Sequence, residues 1–344
     1  MKKAVGVIGM GSFGIAVANL ISHNSDVLLY SRSREKIDDF NKTHTFRSIN
    51  FNINVIGTCS LEEVANTCDL IFILIPSENL RGLMREFGPL LNPSKIIIHG
   101  IKGLDIESID LYRPDLSRFN KNMIKTMSTV ILEESSIIRV GALSGPNLAK
   151  EILAGQPTAT VLASQFDEVI KLGQEKLSGD KFYVFGSKDV YGAEFAGVFK
   201  NVIAIGTGIL AGKGLGKNIQ AMLITRGLRE MIILGKLLHA KKRAFLGTAG
   251  IGDLIATATS DLSRNFTFGK RLGQGESVNE VLESINEVVE GVRTLKIAYL
   301  LSRKYNLPTP IIYILYKVVF DGTNIDSALS YLMRYPYAED VDFI

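Results

Sequence analysis

Two rhythms of apolar residues divide this chain. Up to about residue 187 they come as short runs, near-continuous at 4–8, 27–30, 68–75 and 96–98, with further short β-rich runs at 137–140, 158–162 and 182–185. Near-continuous apolar runs of strand length are what a sheet covered on both faces requires. Helical stretches lie between them. In Ser60-Leu61-Glu62-Glu63, for example, the serine and the second glutamate have the spacing of a capping box. Strand and helix in alternation predict parallel βαβ units. From Val190 the strand-like runs stop and helical spacing takes over, as at 192–211 and 221–239. The pattern therefore predicts an α/β domain over 1–188, a mainly parallel sheet with helices on both faces, followed by an all-helical domain over 189–344.

The first run leads directly into Gly9-Met10-Gly11-Ser12-Phe13-Gly14 and then into Ile15-Ala16-Val17-Ala18. Such a glycine string is weak evidence alone in a chain with 32 glycines. Placed between a strand and a helix it is strong. Gly9 permits the tight turn, Gly11 lets the backbone approach a pyrophosphate, and Gly14 lets the helix pack closely on the strand. Free N–H groups at the helix N-terminus would receive the pyrophosphate. This is the fingerprint of a Rossmann dinucleotide-binding domain. A unit that prefers NAD usually ends its second strand in a carboxylate for the ribose 2′-hydroxyl. Here the strand ends in Tyr30-Ser31-Arg32-Ser33-Arg34. Two guanidinium groups suit the 2′-phosphate of NADP instead, which favours NADP(H) and keeps NAD(H) as the alternative.

Composition narrows the picture. With 344 residues and 46% apolar content the chain can bury two cores. Its net charge of +4 comes from 39 basic residues spread among 35 acidic ones, a poor pattern for nucleic acid. Lys241-Lys242-Arg243 reads as a solvated helix end. Cys59 and Cys68 have no histidines at ligand spacing near them, so neither a disulfide framework nor a metal site is expected. His23, His44, His99 and His239 show no triad or metal spacing either, and His99 reads as structural. Gly6, Gly9, Gly11 and Gly14 interrupt what would be the apolar core of a signal peptide. The apolar runs at 70–75 and 311–320 fall short of the roughly 20 residues of a membrane span. A cytoplasmic protein without a membrane span is predicted. The Ala-, Gly- and Leu-rich helices of the second half would pack as a core, some of them in a homodimer interface.

Ligands of open parallel sheets bind beyond the carboxyl ends of the strands. Three segments there are unusual: Pro76-Ser77-Glu78, Gly100-Ile101-Lys102-Gly103 and Ser144-Gly145-Pro146-Asn147-Leu148-Ala149. Lys102 between glycines can polarise a carbonyl or hold a phosphate; a solvated loop lysine is the plainer reading. In the helical half, Lys200-Asn201 interrupts an apolar helix, so the pair is either exposed or faces a site. Asp253 follows a glycine turn and reads as a site acid or an N-cap. Ser263-Arg264-Asn265 opens a helix whose arginine, amide and free N–H groups suit a phosphate. A dinucleotide site with scattered cations indicates hydride transfer on an anionic substrate.

Taken in order, GMGSFG, IPSENLRG, GIKGLD, LSGPNLAKE, EFAGVFKNVIAIGTGI, GTAGIGDLIATATS, SRNFTFGKRLGQG and VVEGVRT resemble the NAD(P)-dependent glycerol-3-phosphate dehydrogenases of the bacterial type, over most of the chain. That resemblance, and not the periodicity, supplies the substrate. It implies reversible reduction of dihydroxyacetone phosphate to sn-glycerol 3-phosphate, supplying glycerophospholipid synthesis. Ser12, Phe13 and Arg32 would contact the cofactor, with Ala149, Arg264, Val288 and Glu290. Lys102 would lie near both cofactor and substrate. Gly145, Asn147, Asn201, Asp253, Thr257, Ser263, Arg264 and Asn265 would contact the substrate, although the family often has serine or threonine at the position of Asn147. Lys200 matches the catalytic lysine. Its proton would go to the carbonyl oxygen, with desolvation and Lys102 lowering its pKa and Asp253 orienting it. Lys102 would add electrostatic stabilisation. A hydroxyacid or ketopantoate-type reductase is the rival reading; Ser263-Arg264-Asn265 and Gly252-Asp253 argue against it. A non-catalytic redox sensor would require neither Lys200 nor Lys102.

Overall fold

The computed structural model describes residues 4–106, 110–111, 114–285, 288–336 and 339. Their contacts divide them into two compact units, one within Met1–Asp105 and Thr126–Val190, the other within Ile106–Lys125 and Tyr191–Ile344. The span 1–188 is thus not one continuous unit, since 106–125 clusters with the helical half.

The first unit is built on an eight-stranded sheet: β1 (Val5–Ile8), β2 (Val27–Tyr30), β3 (Val55–Thr58), β4 (Leu70–Ile73), β5 (Ile96–His99), β6 (Arg139–Ser144), β7 (Thr158–Ser164) and β8 (Phe182–Ser187). Its order is β8-β7-β6-β5-β4-β1-β2-β3. All neighbours are parallel except β6 and β7, which run antiparallel. The near-continuous apolar runs are explained by two separate cores. Alternate side chains of a strand point to opposite faces. Phe72 and Ile98 accordingly pack with Ile15, Val17 and Ile21 of helix α1 (Ser12–Ser22), while Ile71, Ile73 and Ile97 pack with Val64, Met84 and Val130. The strand order reverses between β1 and β4. That is the switch point at which such sheets open a ligand crevice at their carboxyl ends.

Several local expectations shift. The edge strand β3 and a small hairpin, Thr45–Phe46 with Ile49–Asn50, are absent from the periodicity reading. An edge strand is covered less, and the pattern of β3 is broken by Gly57 and by Ile56, which is 55% exposed. The strand expected at 137–140 lies instead at Arg139–Ser144, because Ile138 is 56% exposed and precedes the ladder. Ser60 caps the helix Leu61–Thr67 by accepting from Glu63 N at 3.1 Å. The Glu63 carboxylate takes the Thr58 hydroxyl, so the reciprocal bond of a capping box is not what engages it. Lys241, Lys242 and Arg243 are exposed, but they open a four-residue helix, Lys242–Phe245, rather than close one.

The second unit is helical throughout its regular described elements, apart from short two-residue strands near its 106–125 segment. Helix α2 (Val190–Gly212) is long and apolar enough to cross a membrane by composition, yet 89% of its most apolar window is buried inside the protein, as in a core helix. Helix α3 (Lys217–Leu237) follows, then α4 (Asp253–Ala258), α5 (Arg264–Gly273), α6 (Glu290–Lys304) and α7 (Pro310–Phe320). The packing of α2 on α5 rests on two glycine pairs at helical spacing. A Cβ at Gly208 or Gly212 would lie 2.1 or 2.0 Å from the carbonyl oxygens of Phe266 or Lys270. Reciprocally, a Cβ at Gly269 or Gly273 would lie 2.0 or 2.3 Å from those of Ile205 or Ile209. Only backbones without side chains approach so closely, and the approach fixes what the first turn of α5 presents to the middle of α2. Elsewhere, the buried Glu230 of α3 accepts from Ile311 N and Ile312 N at 2.7 and 2.9 Å, satisfying the first turn of α7. Burial pushes its carboxyl up to about 8, against the lowering effect of those two N–H groups.

Candidate functional site

The glycine turn leaves the carboxyl end of β1 at the switch point. Gly9 has φ +118°, and a Cβ there would lie 2.4 Å from Leu74 O, just past β4. Gly14 is equally constrained, with a Cβ 1.9 Å from Gly9 O. Gly11 differs. It is the N-cap of α1, its backbone is ordinary extended chain, and a Cβ there would meet nothing within 4 Å. The fold therefore requires glycine at 9 and 14, whereas at 11 it leaves open space over the helix N-terminus. Such a cradle fits a dinucleotide pyrophosphate. Phe13 packs against the core and against the space beside Gly100, where a Cβ would lie 2.6 Å from its ring. Arg32 and Arg34 are exposed just beyond β2, with Ser33 capping the helix Arg34–Thr43 between them. Ala149 opens the short helix Ala149–Leu153 and packs on the same core as α1.

The loops after β5 and β6 meet. Lys102 Nζ donates to Gly145 O at 2.8 Å, and Gly145 has φ +139°, a left-handed conformation that favours glycine. The Asn147 amide donates to Thr160 Oγ1 at 2.9 Å, and that hydroxyl donates to Ser144 O at 3.0 Å. Since the hydroxyl gives its proton to a carbonyl, it receives the amide NH2, which turns Asn147 Oδ1 the other way. That oxygen is buried and has no partner among the described residues, nor has Ser144 Oγ. Two buried oxygens without a partner thus lie on the residues to either side of Gly145, whose carbonyl Lys102 holds. His99, buried at the end of β5, lies 3.0 Å from Ser128 Oγ through Nε2 and accepts Ile101 N at Nδ1, which ties down the start of the Lys102 loop.

In the second unit the sequence residues converge more tightly. Lys200, 4% exposed, lies in the middle of α2 with its Nζ 2.8 Å from Asp253 Oδ1. It also donates to Thr257 Oγ1, which donates to Asp253 Oδ1 at 3.3 Å. Of the two readings for Asp253, the N-cap falls away: Gly252 is the cap, and Asp253 is the first helical residue with its carboxylate turned to the lysine. A wide helical turn, Thr248–Gly252, runs directly into α4, a local irregularity common at functional sites. One residue along α2, Asn201 accepts from Asn265 Nδ2 at 2.9 Å, and Asn265 Oδ1 accepts Gly291 N at 2.9 Å. Ser263 caps α5 by accepting Phe266 N at 3.3 Å. Arg264 Nη1 donates to Val288 O at 3.0 Å, and Glu290 opens α6.

Three residues with a part in these arrangements are absent from the sequence reading. Thr160 clamps Asn147, Gly291 gives the backbone approach that Asn265 needs, and Arg47 donates to Ser12 Oγ. Thr160 and Arg47 lie in no motif, and Gly291 sits within VVEGVRT without having been singled out. Each acts through a partner between 13 and 35 residues away, which no local spacing reveals. Among the described residues no group of three or more histidines, cysteines, aspartates and glutamates is arranged to hold a metal ion.

Comparison with known proteins covers most of the chain. The family model for the N-terminus of NAD-dependent glycerol-3-phosphate dehydrogenase matches residues 4–170, and that for its C-terminus matches 189–330. A glycerol-3-phosphate dehydrogenase (NAD(P)+) of Staphylococcus aureus is 36% identical over 336 residues, 95% of this chain and 97% of the relative. Its counterpart in Saccharophagus degradans is 36% identical, covering 99% and 92%. The crystal structure of the Coxiella burnetii glycerol-3-phosphate dehydrogenase superposes with a TM-score of 0.87 at 29% identity, over 97% of this chain and 99% of that one. A ketopantoate reductase of Ralstonia eutropha, at 13% identity and a TM-score of 0.54 over 92% and 97%, shares the fold alone.

Proposed function

The chain belongs to the NAD-dependent glycerol-3-phosphate dehydrogenase family, an NAD(P)-dependent oxidoreductase, and from that premise we propose that it reduces dihydroxyacetone phosphate to sn-glycerol 3-phosphate, reversibly. The observation that carries this reading is the buried ion pair of Lys200 and Asp253, bridged by Thr257 and set beside Asn201 and the first turn of α5. A charged lysine inside an apolar helix is costly unless it is paired, and a chain that needed only to pack would have an apolar residue there.

When bound, the reduced nicotinamide supplies the hydride to the C2 carbonyl carbon. Lys200 then gives a proton to the carbonyl oxygen, so that C=O plus hydride and proton becomes the C2 hydroxyl. Asp253 and Thr257 hold the donor in place, and the ion pair keeps the buried charge balanced before transfer. Arg264, with Ser263 and the free N–H groups at the start of α5, is assigned to the substrate phosphate. Asn265 acts differently from the expected direct contact: its side chain is engaged by Asn201 and Gly291, so it is proposed to fix Asn201 against the substrate. Lys102, Gly145 and Asn147 are assigned to substrate as well, with Lys102 also stabilising the charge that grows on oxygen.

The first unit is assigned the dinucleotide, at Gly9, Gly11, Ser12, Phe13, Gly14, Arg32, Lys102 and Ala149, and the second most of the substrate contacts, with Arg264, Val288 and Glu290 as further cofactor contacts. Arg32 and Arg34 support a preference for NADPH over NADH. A cytoplasmic homodimer supplying glycerophospholipid synthesis completes the proposal. The test is oxidation of NADPH and of NADH by the purified protein with dihydroxyacetone phosphate, with dihydroxyacetone and ketopantoate as controls. Turnover that requires the phosphate is expected, faster with NADPH at low cofactor concentration; turnover of ketopantoate alone would overturn the reading.

A further inference from the structure

We propose that Arg47 is a further guanidinium of the dinucleotide site, one that contacts the pyrophosphate and not the adenosine 2′-phosphate. The inference rests on the reading of the glycine turn as the cofactor cradle. Arg47 sits at the tip of the hairpin formed by Thr45–Phe46 and Ile49–Asn50, where Phe46 pairs with Ile49 across a two-residue turn. Its Nη1 donates to Ser12 Oγ at 2.9 Å, a contact across 35 residues of sequence. Ser12 is the first residue of α1, and Gly11 beside it faces the open space described above. The guanidinium therefore stands at the rim of the cradle.

Turn chemistry does not explain an arginine here. Arg47 and Ser48 have φ of 50° and 64°, the left-handed pair of a tight hairpin turn that usually takes asparagine and glycine. The hairpin is nevertheless held firmly: Phe46 and Ile49 pack against the core that includes α1, and the Arg47 guanidinium lies 5.6 Å from the centre of the Phe46 ring. The cradle has need of the charge. Between Gly9 and Gly14 lie Met10, Gly11, Ser12 and Phe13, none of them charged, and the first turn of α1 carries no acidic residue. Helix N–H groups alone offer partial positive charge to a doubly charged pyrophosphate; a guanidinium adds a full one with paired donors. Arg32 and Arg34 lie beyond β2, at the position that reads the ribose, which leaves the pyrophosphate to Arg47.

Pyrophosphate is common to both cofactors, and that makes the inference separable. Binding of NADPH and of NADH to the full-length protein is measured at equilibrium by calorimetry, without substrate, for Arg47→Met, Arg47→Gly, Arg32→Met and Gly11→Val. Because Arg47 is exposed and Gly suits its backbone, the Arg47 variants are expected to keep the parent's melting temperature. Both should bind NADPH and NADH about tenfold more weakly, by a similar factor, with a shallower salt dependence. Arg32→Met should weaken NADPH alone, and Gly11→Val should weaken both cofactors. Unchanged binding in the Arg47 variants alongside loss in Gly11→Val overturns the role of Arg47 and leaves the cradle standing. Loss confined to NADPH would assign Arg47 to the 2′-phosphate and refute the proposal. Retention of both cofactors by Gly11→Val would remove the cradle reading itself, and this inference with it.

Discussion

The glycine turn and the Lys200 group hold charge in opposite ways. At the turn the parts are backbone and open space: two glycines required by close contacts, a third that faces nothing, and arginines exposed around them. Around Lys200 the parts are buried side chains, each satisfied by another, with Asp253 1% exposed and Thr257 and Asn201 4% exposed. The first arrangement suits a large cofactor that comes and goes, because its donors remain hydrated until it binds. The second suits proton transfer, where the donor must be fixed and shielded from water. A substitution at the turn should therefore act through affinity, and one in the buried group through turnover.

The sharpest way to break that contrast is Lys200→Ala. It should lower kcat by about 10²–10⁴-fold while cofactor affinity measured by equilibrium binding stays near the parent value. Near-normal turnover would remove Lys200 as the proton donor. Next in size, Arg264→Ala should raise the KM for dihydroxyacetone phosphate by roughly 10–100-fold, the worth of a charge-assisted bond to phosphate. If steady-state kinetics showed only the KM for NADPH rising, Arg264 would belong with the exposed cofactor arginines. Smaller again, Arg32→Ala should raise the KM for NADPH about tenfold and leave that for NADH nearly unchanged.

The least effect on catalysis, but a clear one on stability, is expected at Glu230. Burial raises its carboxyl from 4.5 to about 8 in the folded chain. Between those values the folded protein keeps a proton that the unfolded chain has released. Stability linked to Glu230 is thus fully present below the ordinary carboxyl range and is lost as pH rises through about 8, by on the order of a few kcal/mol. Thermal melts from pH 5 to pH 9 should show this fall in the parent and a flatter profile in Glu230→Gln. Equal slopes would mean that Glu230 does not titrate in that range.

Much of the first unit was legible because its signals are local. Apolar runs marked β1, β2, β4 and β5, and the glycine turn carries its meaning in six consecutive residues. What escaped were the edges: β3, half covered and broken by Gly57, and the hairpin that carries Arg47, too short to show a period. In the second unit the helices were legible and their packing was not. The four glycines that press α2 against α5 read in sequence only as small residues in two helices.

By itself the sequence determined the class of most elements, the strand-turn-helix order of the cofactor cradle and the identity of the charged residues, since these depend on neighbours a few positions apart. Tertiary structure alone decided which of the charges meet. Lys200 and Thr257 are 57 residues apart and Asn201 and Asn265 are 64 apart. Whether Lys200 faced solvent or a partner, and whether Asp253 capped a helix or held a lysine, turned on how closely two helices could approach. Close packing fixes such distances to within a fraction of a side chain, and that is a property of the assembled core, not of any segment in it.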